Sequence, residues 1–286
     1  EHTEAIGESE KSAAKIFGSD ETYFVTNGTS TSNKIVFHYC VTPGDIVLID
    51  RNCHKSIMHS IIMTGAIPIY LTPSRNSLGI IGPIHEEDFE WSEIEKAINE
   101  SPLVEDKENY RIKLAVITNS TYDGLCYNAK TILDKLEKIV DFVLFDEAWY
   151  AYAKFHRMYM SRFGMSPDID REKSPVVFST HSTHKLLAAF SQGSMIHVKD
   201  GRKRVDHGRF NEAYMMHMST SPQYAIIASL DEAAKMMAGN AGKFLIDETI
   251  QEAIIFRKKM KHLKEEIESK ESERKRRWWL EIWQPE

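Results

Sequence analysis

Residues 178–187 read FSTHSTHKLL, and this decapeptide joins an apolar segment to a polar one. The residues from Pro175 to Phe178 form a short apolar run with two β-branched valines, which predicts a buried strand. Hydroxyl and imidazole side chains occupy the next positions, and Lys185 follows them. The decapeptide therefore predicts a strand end with a lysine at its junction with a second apolar segment.

A lysine in that position need not stay a fully solvated cation. Partial burial lowers the pKa of the amine and makes it available for a Schiff base. The neighbouring Ser and Thr hydroxyls are suitable ligands for a phosphate. These features predict a Schiff base between Lys185 and pyridoxal phosphate. The alternative is an ordinary strand-to-helix loop whose Ser and Thr residues cap the helix, and residues 178–187 alone do not decide between the two.

Apolar segments alternate with segments of helical pattern along most of the chain. The predicted strands are residues 22–26, 45–50, 67–71, 114–118, 142–145, 175–178 and 195–198. The predicted helices are residues 4–17, a segment capped by Ser30 or Thr31 and running to 40, and residues 55–64, 86–99 and 129–140, with further helices after residue 198. This alternation predicts an α/β domain around a mostly parallel sheet.

Polar clusters follow several predicted strands directly. They are residues 28–31, 52–55, 146–149 and 182–185. Because open α/β sheets bind ligands at the carboxyl ends of their strands, we expect these clusters to meet at one site.

Asp146 ends the apolar run of residues 142–145. A carboxylate there is costly without a cationic partner, and a protonated pyridine nitrogen would be such a partner. The alternative is that Asp146 caps a helix or pairs with an arginine. Similarly, His54 could stack on a cofactor ring or shuttle protons, although a lone histidine is more often structural.

Two hydroxyl-rich segments are candidate phosphate ligands. Residues 28–31 (GTST) combine a flexible backbone, hydroxyls and a helix start, and residues 219–222 (STSP) precede another helix. In both segments the alternative is ordinary helix capping. A zinc site at His54, His181 and His184 is not expected, because these residues lack a local metal-binding spacing.

Composition narrows the possible partners. The 286 residues carry a net charge of −6, so nucleic acid is not an expected partner. No apolar run approaches membrane length, and three widely spaced cysteines suit a reducing cytosol, which predicts a cytoplasmic protein without a membrane span.

Taken together, the motifs resemble the bacterial-type ornithine/lysine/arginine decarboxylases, a pyridoxal-phosphate-dependent family of the aspartate aminotransferase fold type. The resemblance rests on TNGTST (26–31), DRNCHKS (50–56), TNSTYDG (118–124), FDEAW (145–149), STHKLL (182–187), FNEAYMMH (210–217) and WQP (283–285). It implies a three-layer α/β/α major domain in residues 1–244. Residues 245–286 are then expected to form a linking helix and the start of an incomplete C-terminal α/β domain, with Trp278 and Trp283 in its first strand. The family's N-terminal receiver-like domain is not expected within this chain.

The resemblance also implies roles for individual residues. Lys185 forms the Schiff base, Asp146 pairs with the pyridine nitrogen, and His54 stacks on the ring. The remaining implied cofactor ligands are Ser30, Thr31, Ser182 and His184 at the phosphate, Ala148 and Trp149 along the pocket, and Thr220, which is lent to a neighbouring subunit. That last role places the active site at the interface of a homodimer or a higher homo-oligomer.

The implied reaction is decarboxylation of a basic amino acid to its amine and CO2. Lysine is the first expectation, because residues 187–192 (LAAFSQ) and 240–243 (NAGK) resemble the lysine branch. Arginine or ornithine comes next, since residues 145–150 (FDEAWY) resemble the arginine branch. Two alternatives remain: an aminotransferase, which usually needs an arginine clamp for the retained carboxylate, and a cofactor-binding subunit without turnover.

Overall fold

The computed structural model describes residues 2–270, and its first compact unit, which ends at Ala238, is built on one sheet. Within the described residues the sheet has seven strands in the order β1-β7-β6-β5-β4-β2-β3. The strands are β1 (Glu21–Val25), β2 (Ile46–Asp50), β3 (Ile67–Leu71), β4 (Ile112–Thr118), β5 (Phe142–Asp146), β6 (Val176–His181) and β7 (Ser194–Lys199). Strands β2 to β6 pair in parallel and β7 is antiparallel to both of its neighbours, so the predicted mostly parallel sheet is confirmed.

Helices connect the strands, as the alternating pattern predicts. In this unit they are α1 (Glu4–Phe17), α2 (Gly28–Cys40), α3 (Lys55–Thr64), α4 (Trp91–Glu100), α5 (Ala129–Leu136), α6 (Thr183–Leu186), α7 (His207–Met215) and α8 (Tyr224–Met236). The segment predicted as one helix over residues 86–99 is divided into a short 3-10 helix, Glu86–Phe89, and α4.

Two hydrophobic cores lie on opposite faces of the sheet. Alternate residues of β2 enter different cores: Leu48 packs with residues of α4 and α5, and Ile49 packs with residues of α2, α3 and α7. This division follows from the two-residue period of a strand, which turns successive side chains to opposite faces. The expected three-layer α/β/α arrangement is therefore confirmed.

Two local predictions at the site are wrong. The strand predicted to end at Phe178 continues to His181, because β7 pairs with β6 as far as His181 and supplies its backbone hydrogen bonds. Helix α2 begins at Gly28, two residues before the predicted cap at Ser30. Gly28 has a φ of +74°, a conformation that glycine adopts without strain, so the chain enters the helix earlier than the hydroxyl pattern suggests.

A second compact unit begins at Gly239. Its described part is helix α9, Gly239–Lys270. The predicted start of a C-terminal domain, including Trp278 and Trp283, lies largely outside the described residues and stays a prediction. No helix within residues 2–270 combines the length and apolar character that a membrane span requires.

A cluster of cations surrounds Asp141 at the amino end of β5. Asp141 accepts hydrogen bonds from Arg111, from Lys113 Nζ at 3.1 Å and from Lys203 Nζ at 2.7 Å, and its side chain is 11% exposed. Burial alone would raise the pKa of this carboxyl, but the hydrogen bonds and charges of Lys203, Lys113 and Arg111 outweigh it and lower the pKa to about 2. The cluster thus ties the starts of β4 and β5 to the segment after β7.

We expect Asp141→Asn to lower the free energy of unfolding by about 1–2 kcal/mol at pH 7. The native pKa lies below the ordinary value of 3.8, so the stabilisation is present above pH 4 and is lost as the pH falls towards 2. Urea denaturation at pH 7 and pH 3 measures the difference, with Asp134→Asn in an exposed pair on α5 as the control. An equal difference at both pH values would contradict the assignment.

Candidate active site

A cavity of about 510 Å³ opens at the carboxyl ends of β4, β5 and β6. It lies where the polar clusters were expected to meet. Its lining includes eight of the predicted site residues: Ser30, His54, Asp146, Ala148, Trp149, Ser182, His184 and Lys185. The polar clusters that were expected at the site also contribute Gly28, Thr29, Asn52 and Cys53 to the lining. Further lining residues, for which no role was predicted, are Thr118, Ser120, Tyr122, Ser191 and Gln192.

Lys185 lies on α6, the single helical turn that directly follows β6. The side chain is at the cavity wall and remains partly open to solvent. Burial lowers the pKa of its amine, and the negative charge of Asp146 opposes that shift. A lowered pKa increases the fraction of neutral, nucleophilic amine near pH 7.

Asp146 is the last residue of β5 and is 4% exposed. Its Oδ2 accepts a hydrogen bond from Asn33 Nδ2 at 3.0 Å, and its Oδ1 accepts one from the Ala148 backbone N–H at 3.3 Å. Burial raises the pKa of the carboxyl, while these hydrogen bonds and the nearby His54 and Lys185 lower it in part. Within residues 2–270 no cation forms an ion pair with Asp146, so the buried carboxylate has neutral donors only.

Asn33, which the sequence analysis did not single out, orients Asp146. It lies on α2 and is fully buried. Its Nδ2 also donates to Ser56 Oγ at 3.0 Å, and its Oδ1 accepts from Thr180 Oγ1 at 2.9 Å. One amide therefore connects α2, α3, β5 and β6 behind the cavity. No local pattern could have identified it, because its partners are distant in the sequence.

Glu147 follows Asp146 but turns to the other face of the sheet. It is 1% exposed and accepts hydrogen bonds from Asn119 Nδ2 at 2.9 Å, from the Gly164 backbone N–H at 2.8 Å and from Ser179 Oγ. His181 Nε2 lies 3.4 Å from its Oε2. Glu147 thus fixes the backbone next to Asp146 without lining the cavity.

His54 lies at the cavity mouth as the N-cap residue of α3. Its Nδ1 accepts a hydrogen bond from the Ser56 backbone N–H at 3.2 Å, which places the proton of a neutral ring on Nε2. Burial lowers the pKa of this imidazole, Asp146 raises it, and Lys185 lowers it again. A neutral planar ring beside the cavity can stack on an aromatic ligand.

Hydroxyl groups and a helix N-terminus line one end of the cavity. Gly28, Thr29 and Ser30 form the first turn of α2, a 13-residue helix whose N-terminus favours an anion. Thr29 Oγ1 lies 2.7 Å from Ser182 Oγ and 3.0 Å from Ser194 Oγ, so this hydroxyl network joins α2 to the residue that follows β6 and to β7. The arrangement suits a phosphate group.

The imidazole ring of His184 also lies at that end of the cavity. Its Nδ1 is 2.8 Å from the Gly193 carbonyl oxygen, which can only accept, so Nδ1 carries a proton. A neutral His184 would therefore present Nε2 as an acceptor, and only the cation can donate to a phosphate from Nε2. The imidazolium is the form that fits an anion here.

Two predicted phosphate ligands lie outside this cavity. Thr31 Oγ1 donates to the Asn27 carbonyl oxygen at 3.1 Å, inside the first turn of α2. Thr220 is exposed and lines a different cavity, of about 400 Å³, between α1 and the segment that joins α7 to α8. Their roles at the phosphate stay predictions. Within residues 2–270 no group of three or more His, Cys, Asp or Glu side chains is arranged to hold a metal ion.

The residues around the cavity fit pyridoxal phosphate. Its pyridine nitrogen would supply the cation that Asp146 lacks among the described residues. The α2 N-terminus, Ser30, Ser182 and His184 offer donors for its phosphate, and Lys185 offers an amine for its aldehyde carbon.

The family model described as "Orn/Lys/Arg decarboxylase, major domain" matches residues 1–286. The chain is 56% identical over 287 residues to "Lysine decarboxylase LdcA" of Pseudomonas aeruginosa, and 49% identical over 286 residues to the "Biodegradative arginine decarboxylase" of Escherichia coli K12. A solved structure of "Lysine decarboxylase A from Pseudomonas aeruginosa" superimposes with a TM-score of 0.91 at 57% identity.

Each of these matches covers 100% of this chain and 37% of the matched protein. The chain thus spans little more than a third of the length of these relatives. The shared fold and sequence concern the cavity-bearing part of the larger proteins.

Proposed function

This chain belongs to the ornithine/lysine/arginine decarboxylase family, and on that basis we propose that it is the cofactor-binding part of an enzyme that decarboxylates a basic amino acid. The proposed substrate is lysine first, then arginine or ornithine, and the products are the corresponding amine and CO2. The observation that supports this most directly is the position of Lys185 and Asp146 on one cavity. Within residues 2–270 no ion pair joins the two, so both side chains are available to a ligand bound in the cavity.

The proposed cofactor is pyridoxal phosphate. Lys185 would hold it through the amine, Asp146 at the pyridine nitrogen, and His54 against the ring face. Ser30, Ser182 and His184 would hold the phosphate, and Ala148 and Trp149 would line the remaining wall. When bound, the cofactor supplies an electron sink for the electron pair that stays at Cα as CO2 departs.

The side chains of this chain supply charge and protons. Asp146, held by Asn33, keeps a negative charge at the wall of the cavity. The reaction consumes one proton, since the lost carboxylate is replaced by hydrogen at Cα. Lys185 Nζ, whose pKa is lowered by burial, can accept a proton from the substrate amine and return one to Cα near neutral pH.

Incubating the protein at its natural length with lysine, arginine and ornithine in parallel tests this function. We expect CO2 and the matching amine in equal amounts, fastest with lysine. Bound cofactor without turnover of any of the three would instead favour the non-catalytic subunit. An aminotransferase would yield a keto acid and no CO2; no arginine is among the described residues that line the cavity.

A second copy of the chain is the proposed partner. Exposed apolar side chains flank the cavity residues, among them Tyr122 (82% exposed), Phe190 (62% exposed) and Leu186. A subunit packed there would cover this surface and place the active site at an interface. We also propose the cytoplasm as the location, since Cys40, Cys53 and Cys126 are free thiols.

A further inference from the structure

The ammonium of Lys185 lies over an aromatic ring. Lys185 Nζ is 4.4 Å from the centroid of the Trp149 ring, well within the distance at which a cation is attracted to an indole face. Within the described part of the chain, neither a hydrogen bond nor an ion pair joins this amine to another group. The ring of Trp149 is therefore the contact that locates the charged end of Lys185.

A neighbouring aromatic ring and a backbone turn hold Trp149 in place. The ring of Tyr122, in the loop after β4, meets it edge-on, with centroids 5.7 Å apart and planes at 87°. The backbone is held by a turn in which the Tyr150 N–H donates to the Glu147 carbonyl oxygen at 2.8 Å. Trp149 is 38% exposed, so the indole lies at the mouth of the cavity rather than in the core.

We propose that Trp149 is a positioning residue whose ring face holds the ammonium of Lys185 whenever that lysine is not attached to the cofactor. Trp149 lies three residues after Asp146, so one short segment presents both the carboxylate and the indole to the cavity. The ring gives the displaced lysine a defined place at the mouth, from which it can return. This inference rests on the proposed function, because it concerns the lysine that would hold the cofactor.

The ring acts on the protonation of Lys185 as well as on its position. A cation–π contact favours the charged amine, whereas burial favours the neutral one and lowers its pKa. Among the described residues, the other titratable groups that face the cavity are Asp146 on β5, Cys53 and the N-cap His54 before α3, Tyr122 after β4 and His184 on α6. Of these, Asp146 also favours the charged amine.

The pKa of Lys185 tests the proposal without cofactor or substrate. The protein at its natural length, freed of cofactor with hydroxylamine, is acetylated with acetic anhydride across a pH series, and the peptide containing Lys185 is quantified by mass spectrometry. We expect Trp149→Leu to lower the pKa by roughly half a unit. Trp149→Phe should lower it by less, and Trp91→Leu, on the exposed side of α4, should leave it unchanged.

A fall in the order Trp, Phe, Leu supports the proposal, and any other order overturns it. The phenylalanine variant keeps an aromatic ring and most of the volume, so the test remains available if the leucine variant does not fold. Failure of the proposed function would appear separately, as a lack of amine and CO2 in the decarboxylation assay.

Discussion

Lys185→Ala should abolish covalent attachment of pyridoxal phosphate and lower the rate of decarboxylation by at least about 1,000-fold. The variant removes both the amine that would hold the cofactor and the group that would return a proton to Cα. The covalently attached cofactor absorbs visible light, so a scan of the purified protein gives a direct measurement, and amine release gives the rate.

The matched control is Lys96→Ala, an exposed lysine on α4 far along the chain from the cavity motifs. It should retain both the visible band and the rate. A Lys185→Ala protein that keeps the wild-type band would show that another amine holds the cofactor, and the assignment of Lys185 would then be wrong. Circular dichroism of both variants establishes that the fold is retained.

Asp146→Asn should lower the rate by about 100- to 1,000-fold, because an amide cannot balance a protonated pyridine nitrogen in a buried site. The stability of the cofactor-free fold should increase rather than decrease. Burial raises the pKa of Asp146, so the ionised carboxylate destabilises the cofactor-free protein as the pH rises through that pKa. The cofactor-free variant is therefore expected to melt at a higher temperature than the wild type at pH 7.

The pH dependence of the melting temperature distinguishes the loss of the Asp146 charge from a change in the shape of the side chain. The melting-temperature difference should shrink as the pH falls through the raised pKa of the wild-type carboxyl, and a series of thermal scans from pH 7 towards acid pH measures it. Asp134→Asn, in an exposed pair on α5, should change neither the rate nor this pH dependence. A variant with full activity, or a lower melting temperature at pH 7, would contradict the proposed role of Asp146.

Most of the sheet was predictable because strand and helix periods are local properties of the chain. Strand β3 and helix α1 match their predicted bounds, and β5 differs by one residue. The error at β6 arose where polar residues occupy a buried strand. Ser179 and Thr180 are satisfied by Glu147 and Asn33, partners that no neighbouring residue indicates.

Local sequence also could not distinguish the two hydroxyl side chains of Ser30 and Thr31 on α2. Ser30 lines the cavity and Thr31 does not, although both belong to one hydroxyl-rich segment. Successive residues of a helix point in directions about 100° apart, so one of the two faces away. Which of the two side chains faces the cavity depends on where the helix begins. The helix begins at Gly28, whereas the sequence predicted a start at least two residues further along the chain.

Local sequence was sufficient to single out Lys185 and Asp146 as candidate site residues and to predict that their strand ends meet, because parallel strands present their carboxyl ends at one edge. The fold alone brought Asn33 to Asp146, Trp149 to Lys185 and Gly193 to His184. Such contacts depend on strand order, helix phase and rotamer, which arise when segments far apart in the chain pack together. Charge and protonation in the cavity follow from those contacts, and the residue types alone do not set them.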